Sequence, residues 1–280
     1  LAYSDVFDYP LKEEELWRFL IGKKINKRKF KEELQNSSTI VQESGFYCFL
    51  GRARIIEKRK QRKKISQEKF AIIKKVILYL RLIPTVQLIG VSGALAMENA
   101  DKDDDIDLFV IAKKNKLWMT RAFLVITLEL LGLRRKRKGK NTANKICLNM
   151  LVDEVSLCLP KEKQDLYSAH EVVQMLPLFE RNNTYTHFIT ANLWVKNFLP
   201  NSIDINPPAG EAGILRYKDI KESKNHNFFE LLAKHFQLWY MRSHRSTEVV
   251  SDTMLAFHPF DYRRKILSAY NRRLKKYKII

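Results

Sequence analysis

A chain of 280 residues, 45% hydrophobic and 29% charged, has apolar material for about two or three packed domains, so disorder is not its default reading. Its 51 Lys and Arg against 31 Asp and Glu give a net charge of +20, a field that attracts nucleic acid, nucleotides or an anionic membrane surface, although a solvated basic surface has the same composition. Cys48, Cys147 and Cys158 form no CxxC pair and sit in apolar runs, so they read as buried free thiols in a reducing, cytoplasmic setting.

The chain opens on Leu1 rather than Met, and Leu1 to Phe7 already reads as part of a helix, which points to a truncated N-terminus or a partial reading frame. Pro10 opens a helix with Glu13, Glu14 and Glu15 in its first turn, where the helix dipole favours acids. The turn Gly22-Lys23-Lys24 leads to a second helix, Lys27 to Leu34. Thr39-Ile40-Val41 and Phe46 to Leu50 flank a Gly-containing turn and predict a hairpin. Arg52 to Lys64 is a basic connecting helix, and Ser66 caps the next one, Gln67 to Leu82.

Val86 to Val91 has the composition of a strand, Ser92-Gly93 is a turn, Ala94 to Asn99 suits a short helix and Ala100 to Asp104 is a polar loop. Ile106 to Ile111 is nearly continuous apolar, as a buried strand should be. Trp118 to Leu131 is a helix, Arg134 to Lys140 a basic loop and Ile146 to Val152 another strand. The apolar stretch from Leu117 to Leu133 contains Arg121 and Glu129, which leaves no uninterrupted run able to span a bilayer. The last third predicts helices over Gln164 to Leu176, Thr186 to Phe198, Phe228 to Ser243 and Tyr262 to Tyr277, with a loop at Pro207-Pro208-Ala209-Gly210.

The segment from Leu88 to Ile111 carries chemistry. A strand ends in a Ser-Gly turn and a helix starts at once, so backbone N–H groups face outward and glycine admits an anion, a phosphate cradle at Ser92, Gly93 and Ala94. Asp105 and Asp107 lie two apart on a strand and therefore share one face. Converging carboxylates call for a cation, and hard oxygen ligands suit Mg²⁺. A solvated acidic loop is the plainer reading, but Leu108-Phe109-Val110-Ile111 follows Asp107 directly and draws it towards a core.

The run Ile89 to Ala96 followed by Asp104 to Ile111 resembles the polymerase-β nucleotidyltransferase superfamily: an apolar strand, a small-residue turn, a short helix, then Asp-apolar-Asp on the next strand. The resemblance implies Asp105 and Asp107 as catalytic metal ligands, Ser92, Gly93 and Ala94 as the nucleotide-binding turn, and transfer of an NMP from an NTP to a hydroxyl with Mg²⁺ as cofactor. The sequence departs from the pattern twice. Ala94 stands where the family commonly has Ser, and the strand matched to the third carboxylate carries Asn149, with Asp153 and Glu154 only at its end. Asp153 is the candidate third acid; its plainer reading is a strand-end turn residue.

The order helix, helix, helix, hairpin over roughly the first 50 residues resembles a winged helix, which implies nucleic-acid binding through Lys27, Arg28, Lys29 and Lys31, or a docking role. The expected architecture is α+β: a winged-helix-like module and basic connector over 1–65, a mixed-sheet nucleotidyltransferase fold over 66–160 and a helical region over 161–280. The expected partners are an NTP and nucleic acid, without a membrane. The rival expectation is a nucleotide-sensing, nucleic-acid-binding regulator whose transferase site has lost catalysis. Phe257 to Asp261 pairs His258 with Asp261, which reads first as a helix entry, and the remaining histidines show no metal-ligand spacing.

Overall fold

The computed structural model describes residues 1–136, 142–203, 228–242, 249–256 and 262–279. Pro207 to Gly210, the His258–Asp261 pair, His226 and His244 lie outside these residues.

Three short helices come first: α1 (Ala2–Asp5), α2 (Glu13–Arg18) and α3 (Lys27–Gln35). Glu15 starts α2 by accepting the Lys12 N–H at 2.7 Å, and the Asn26 amide oxygen caps α3 by accepting the Lys29 N–H at 2.9 Å. Strands β1 (Ile40–Glu43) and β2 (Phe46–Phe49) follow as an antiparallel hairpin. Its two turn residues, Ser44 and Gly45, have φ of 51° and 79°, the left-handed pair that matches the twist of a tight hairpin.

The next helix, α4, runs unbroken from Arg54 to Leu80. Ser66 is therefore not a cap. It is buried in mid-helix, and its hydroxyl accepts the Ala100 N–H at 3.2 Å. No Gly or Pro interrupts 54–80, so nothing in the backbone stops the helix at a polar residue. Arg59 of α4 is buried, forks onto Glu15 at 2.8 and 2.7 Å and lies over the Tyr9 ring at 4.0 Å, tying the first helices to α4.

The central elements are β3 (Val86–Val91), α5 (Gly93–Ala96), β4 (Ile106–Ala112), α6 (Leu117–Leu130) and β5 (Ile146–Asp153). Then come α7 (Leu166–Gln174), β6 (Leu176–Glu180), α8 (Thr184–Ala191), α9 (Phe228–Met241), β7 (Val249–Val250), β8 (Met254–Ala256) and α10 (Tyr262–Lys276). They form a six-stranded sheet of order β6-β3-β4-β5-β8-β7, in which β4 and β5 are parallel and the other pairs antiparallel. The fold is mixed α+β with a mostly helical C-terminal region.

The last third is less purely helical than its sequence suggests, because it contributes β6, β7 and β8 to the sheet. The helix expected to reach Leu176 stops at Gln174. Pro177 follows in β6, and proline is tolerated there because β6 is an edge strand. The boundary expected at 65 falls inside α4, and strands from beyond 160 complete the sheet.

Alternation along the strands divides the core. Ile106, Leu108 and Val110 of β4 pack towards α4 and α6, with Leu80, Trp118 and Leu124. Phe109 and Ile111 face the other way, towards α7 and α8, with Val172, Val173 and Phe188. Asp105 and Asp107 precede Phe109 on the strand at two-residue steps, so the acids belong to the α7 side.

Candidate functional site

The loop that delivers the acids is fastened from α4. Lys69 is buried, and its ammonium donates to the carbonyls of Lys102 (3.1 Å) and Asp104 (2.6 Å) and to Asn144 Oδ1 (3.0 Å). Burial lowers the Lys69 pKa, and the charges of Asp104 and Asp105 oppose that fall. The strand then starts: Ile106 N–H donates to the Lys145 carbonyl at 2.8 Å, which sets β4 beside β5.

In that register Asp107 lies opposite Cys147. Asp105, Asp107 and Cys147 present ligand atoms within 4.8 Å of one another, a small cluster that could hold a metal ion. Arg135 closes it from the side, with Nη1 donating to Asp105 Oδ2 at 2.7 Å and to Cys147 Sγ at 3.6 Å. Burial, then the charge of Asp105, pushes the Asp107 carboxyl well above the usual carboxylate range, and Arg135 opposes the rise. Burial, then the two aspartates, likewise pushes the Cys147 thiol up. Each of these groups would be relieved by a cation. Two carboxylates fit Mg²⁺, which is commonly held by one or two carboxylates with substrate phosphates, whereas a thiol ligand favours softer ions.

The Ser92-Gly93 turn lies directly against these acids. Ser92 N–H donates to the Asp107 carbonyl at 3.0 Å. Gly93 has φ +64°, and a Cβ on it would come within 3.3 Å of Asp107 Oδ2. Both the backbone conformation and the close carboxylate thus favour glycine. Ala94 is exposed on α5, and Ser92 is turned inward, where Asn149 Nδ2 donates to its hydroxyl at 3.4 Å.

Asp153 is not brought to the acids. It ends β5 opposite Ala112, five residues along β4 from Asp107, roughly 17 Å away at strand rise. There it is buried and fastens backbone, accepting the Asn115 N–H at 2.7 Å and the Val155 N–H at 3.0 Å. Burial pushes its pKa up to about 6 against those two hydrogen bonds.

Beside the cluster lies a cavity of about 380 Å³, whose lining includes Ser92, Phe109, Asn149, Met175 and Glu171. Glu171 comes from α7, and burial pushes its carboxyl up to about 7. Sequence reasoning missed Cys147, Arg135 and Glu171. Cys147 carried a usable signal, being the second residue of its strand as Asp107 is of its own.

The basic side chains of α3 are all exposed and largely engaged with acids. Lys27 meets Glu14 at 2.8 Å, Lys31 meets Glu13 at 3.6 Å and Arg28 meets Glu32 at 3.5 Å, while Lys29 has no ion-pair partner among the described residues. Of the cysteines, only Cys48 is buried and Cys158 is exposed, against the expectation of three buried thiols; all three are free. Cys158 lies in the loop that follows β5, outside any strand or helix that would pack it inward. Among the described residues no helix is long and apolar enough to cross a membrane.

No family model matches this chain. No curated protein and no solved structure matches it either.

Proposed function

We propose that the chain is a metal-dependent nucleotidyltransferase that moves an NMP from an NTP to a hydroxyl acceptor. The observation that carries the reading is the seating of Gly93 against Asp107, in a turn that precedes two converging carboxylates. A glycine turn admits phosphates, and acids beside it supply a place for the cation that accompanies them. Asp105 and Asp107 would hold Mg²⁺, which when bound neutralises phosphate charge and favours attack at the α-phosphorus. Of the turn Ser92, Gly93 and Ala94, the last two would face the triphosphate through their backbone N–H groups, since the Ser92 N–H is held by the Asp107 carbonyl.

A second reading is a nucleotide-sensing, nucleic-acid-binding regulator without catalysis. Two observations favour it. Asn149 rather than an acid stands beside Ser92, and Arg135 engages Asp105 directly. The winged-helix-like module over 1–65 would then be its nucleic-acid arm, through Lys27, Arg28, Lys29 and Lys31. One experiment separates the two. Purified protein is incubated with Mg²⁺, each α-labelled NTP and total cellular RNA or small alcohols. Label transfer that disappears in Asp105→Ala/Asp107→Ala supports the enzyme. A nucleotide-dependent rise in melting temperature without transfer supports the sensor, and neither effect removes both.

A further inference from the structure

The cavity beside the acids has a lining of two chemical kinds. One is apolar, built from Phe109, Val172, Met175 and Phe188. The other is polar, with Ser92, Asn149 and Glu171. Ser92 donates its N–H to the Asp107 carbonyl, and Phe109 follows Asp107 by two residues, so the cavity adjoins the Asp105, Asp107 and Cys147 cluster. The volume of about 380 Å³ lies at the small end of the ~300–1,000 Å³ range of small-molecule sites.

Most of this lining is apolar, which suits a compact ligand better than an extended polyanion. A triphosphate or the end of an RNA strand entering the cavity would face the Glu171 carboxylate across an apolar wall. Two cations line the cavity as well: Arg263 is already held by Asp165 and by the Glu162 carbonyl, and Lys163 has no ion-pair partner among the described residues. Among the described residues no hydrogen bond or ion pair engages the Glu171 carboxylate, which is half-buried and lines the cavity. An unpartnered carboxylate in a cavity wall has an open acceptor position for a ligand hydroxyl.

We infer that the cavity is the acceptor site for a compact, largely apolar alcohol, and that Glu171 takes the proton of its hydroxyl; this rests on the transferase reading above. The alcohol oxygen forms a bond to the α-phosphorus of the NTP. The bond from that phosphorus to the bridging oxygen breaks, pyrophosphate leaves with the electron pair, and the hydroxyl proton passes to Glu171. The products are a phosphodiester of the alcohol and pyrophosphate. A carboxyl poised near neutrality suits this duty, since a base works best with a pKa near the working pH.

The methionines supply a built-in reporter. Met150, Met175 and Met254 line the cavity, while Met97, Met119 and Met241 do not. The full chain, with ¹³C-methyl methionine, is titrated with 2-phenylethanol and with 1-hexanol. The expected result is movement of the three lining resonances and none of the others. Shifts that avoid those three, or ATP or GTP with Mg²⁺ displacing the alcohol from them, overturn the assignment. With α-labelled NTP and Mg²⁺, label is expected to pass to the bound alcohol at least tenfold faster in wild type than in Glu171→Gln. That variant is expected to keep the alcohol-induced methionine shifts and the nucleotide-dependent rise in melting temperature. Equal rates in the two proteins remove Glu171 as the base. Label passing to RNA while the alcohol stays unlabelled overturns the acceptor class and leaves the transferase reading standing. No nucleotide-dependent stabilisation, with alcohol shifts intact, fails the transferase reading itself.

Discussion

The Lys69 ammonium donates to the Asp104 carbonyl at 2.6 Å, so a side chain of α4 holds the residue that immediately precedes Asp105. The same ammonium reaches Lys102 O and Asn144 Oδ1, on both segments that flank the start of β4 and β5. Lys69→Met keeps the apolar stem and removes all three bonds. It leaves three part-buried acceptors without their donor, at a cost of about 0.5–1.5 kcal/mol because water reaches them. The expected result in urea denaturation is a lower midpoint with an unchanged m-value. Calorimetric titration should also show weaker divalent-cation binding, since the loop that presents Asp105 has lost its fastening. Cation binding at wild-type affinity would show that the loop holds its shape without Lys69.

Gly93 carries two constraints at once. At φ +64° a Cβ costs about 1–2 kcal/mol, and at 3.3 Å it also crowds Asp107 Oδ2. Gly93→Ala is expected to lower stability by that amount and to reduce both cation and nucleotide binding. Ala94→Gly, one residue on at an exposed position, is the control and should change neither. Equal effects at the two positions would mean that the turn has no special relation to the acid.

Asp107 is held in a costly place, partly buried beside Asp105 and under Cys147. In metal-free buffer Asp107→Asn removes the like-charge repulsion, so its melting temperature is expected to rise by a few degrees, equivalent to about 1 kcal/mol. The same variant should lose the stabilisation that divalent cation gives the wild type. Opposite signs in the two conditions are what a site kept for a ligand predicts. A variant destabilised in both would make Asp107 a structural residue.

Much of this was legible in the chain. Strand β3, the Ser92-Gly93 turn and strand β4 follow from an apolar run, a glycine and a second apolar run headed by acids. The hairpin at Ser44-Gly45 followed from its turn chemistry. What escaped notice was non-local. Strands β7 and β8, of two and three residues, are too short to show a period, and β6 hides behind Pro177 at the end of a helical pattern. Glu171 looks like any polar residue of an amphipathic helix until α7 is laid over the face that bears Phe109. Asp153 failed for the converse reason: it sits on the right strand, but the parallel register puts it at the wrong end.

Arg135 stands where a cation would act. Its guanidinium meets Asp105 at 2.7 Å and is partly exposed, so the pair is worth about 0.2–1 kcal/mol. A divalent ion must displace or share that carboxylate. Arg135→Ala is therefore expected to tighten binding of Mg²⁺ or Mn²⁺ alone by roughly two- to fivefold, the same energy expressed as affinity. NTP affinity is expected to move the other way if the freed guanidinium of the wild type turns to phosphate. Weaker binding of the bare ion in the variant would show that Arg135 orders the cluster rather than competing for it.

His170 and Glu171 are sequence neighbours with opposed titrations. His170 is buried, stacked on Tyr3 at 3.8 Å, with Nδ1 at 2.9 Å from the Leu166 carbonyl. Burial lowers its pKa from 6.5 to about 4. Between those values the unfolded chain takes up a proton that the folded one refuses, so stability falls as pH drops through this window. Glu171 moves the other way. Burial raises it from 4.5 to about 7, so its contribution is complete below pH 4.5 and is lost as pH rises towards 7. From about pH 4.5 to 6.5 the two slopes, each at most about 1.4 kcal/mol per pH unit, oppose one another. Replacing either residue should unmask the other. In His170→Phe, stability measured by urea denaturation is expected to decline with rising pH across that window relative to wild type. In Glu171→Gln it is expected to climb. Two variants with parallel pH profiles would mean that neither group is shielded as its place between the sheet and α7 requires.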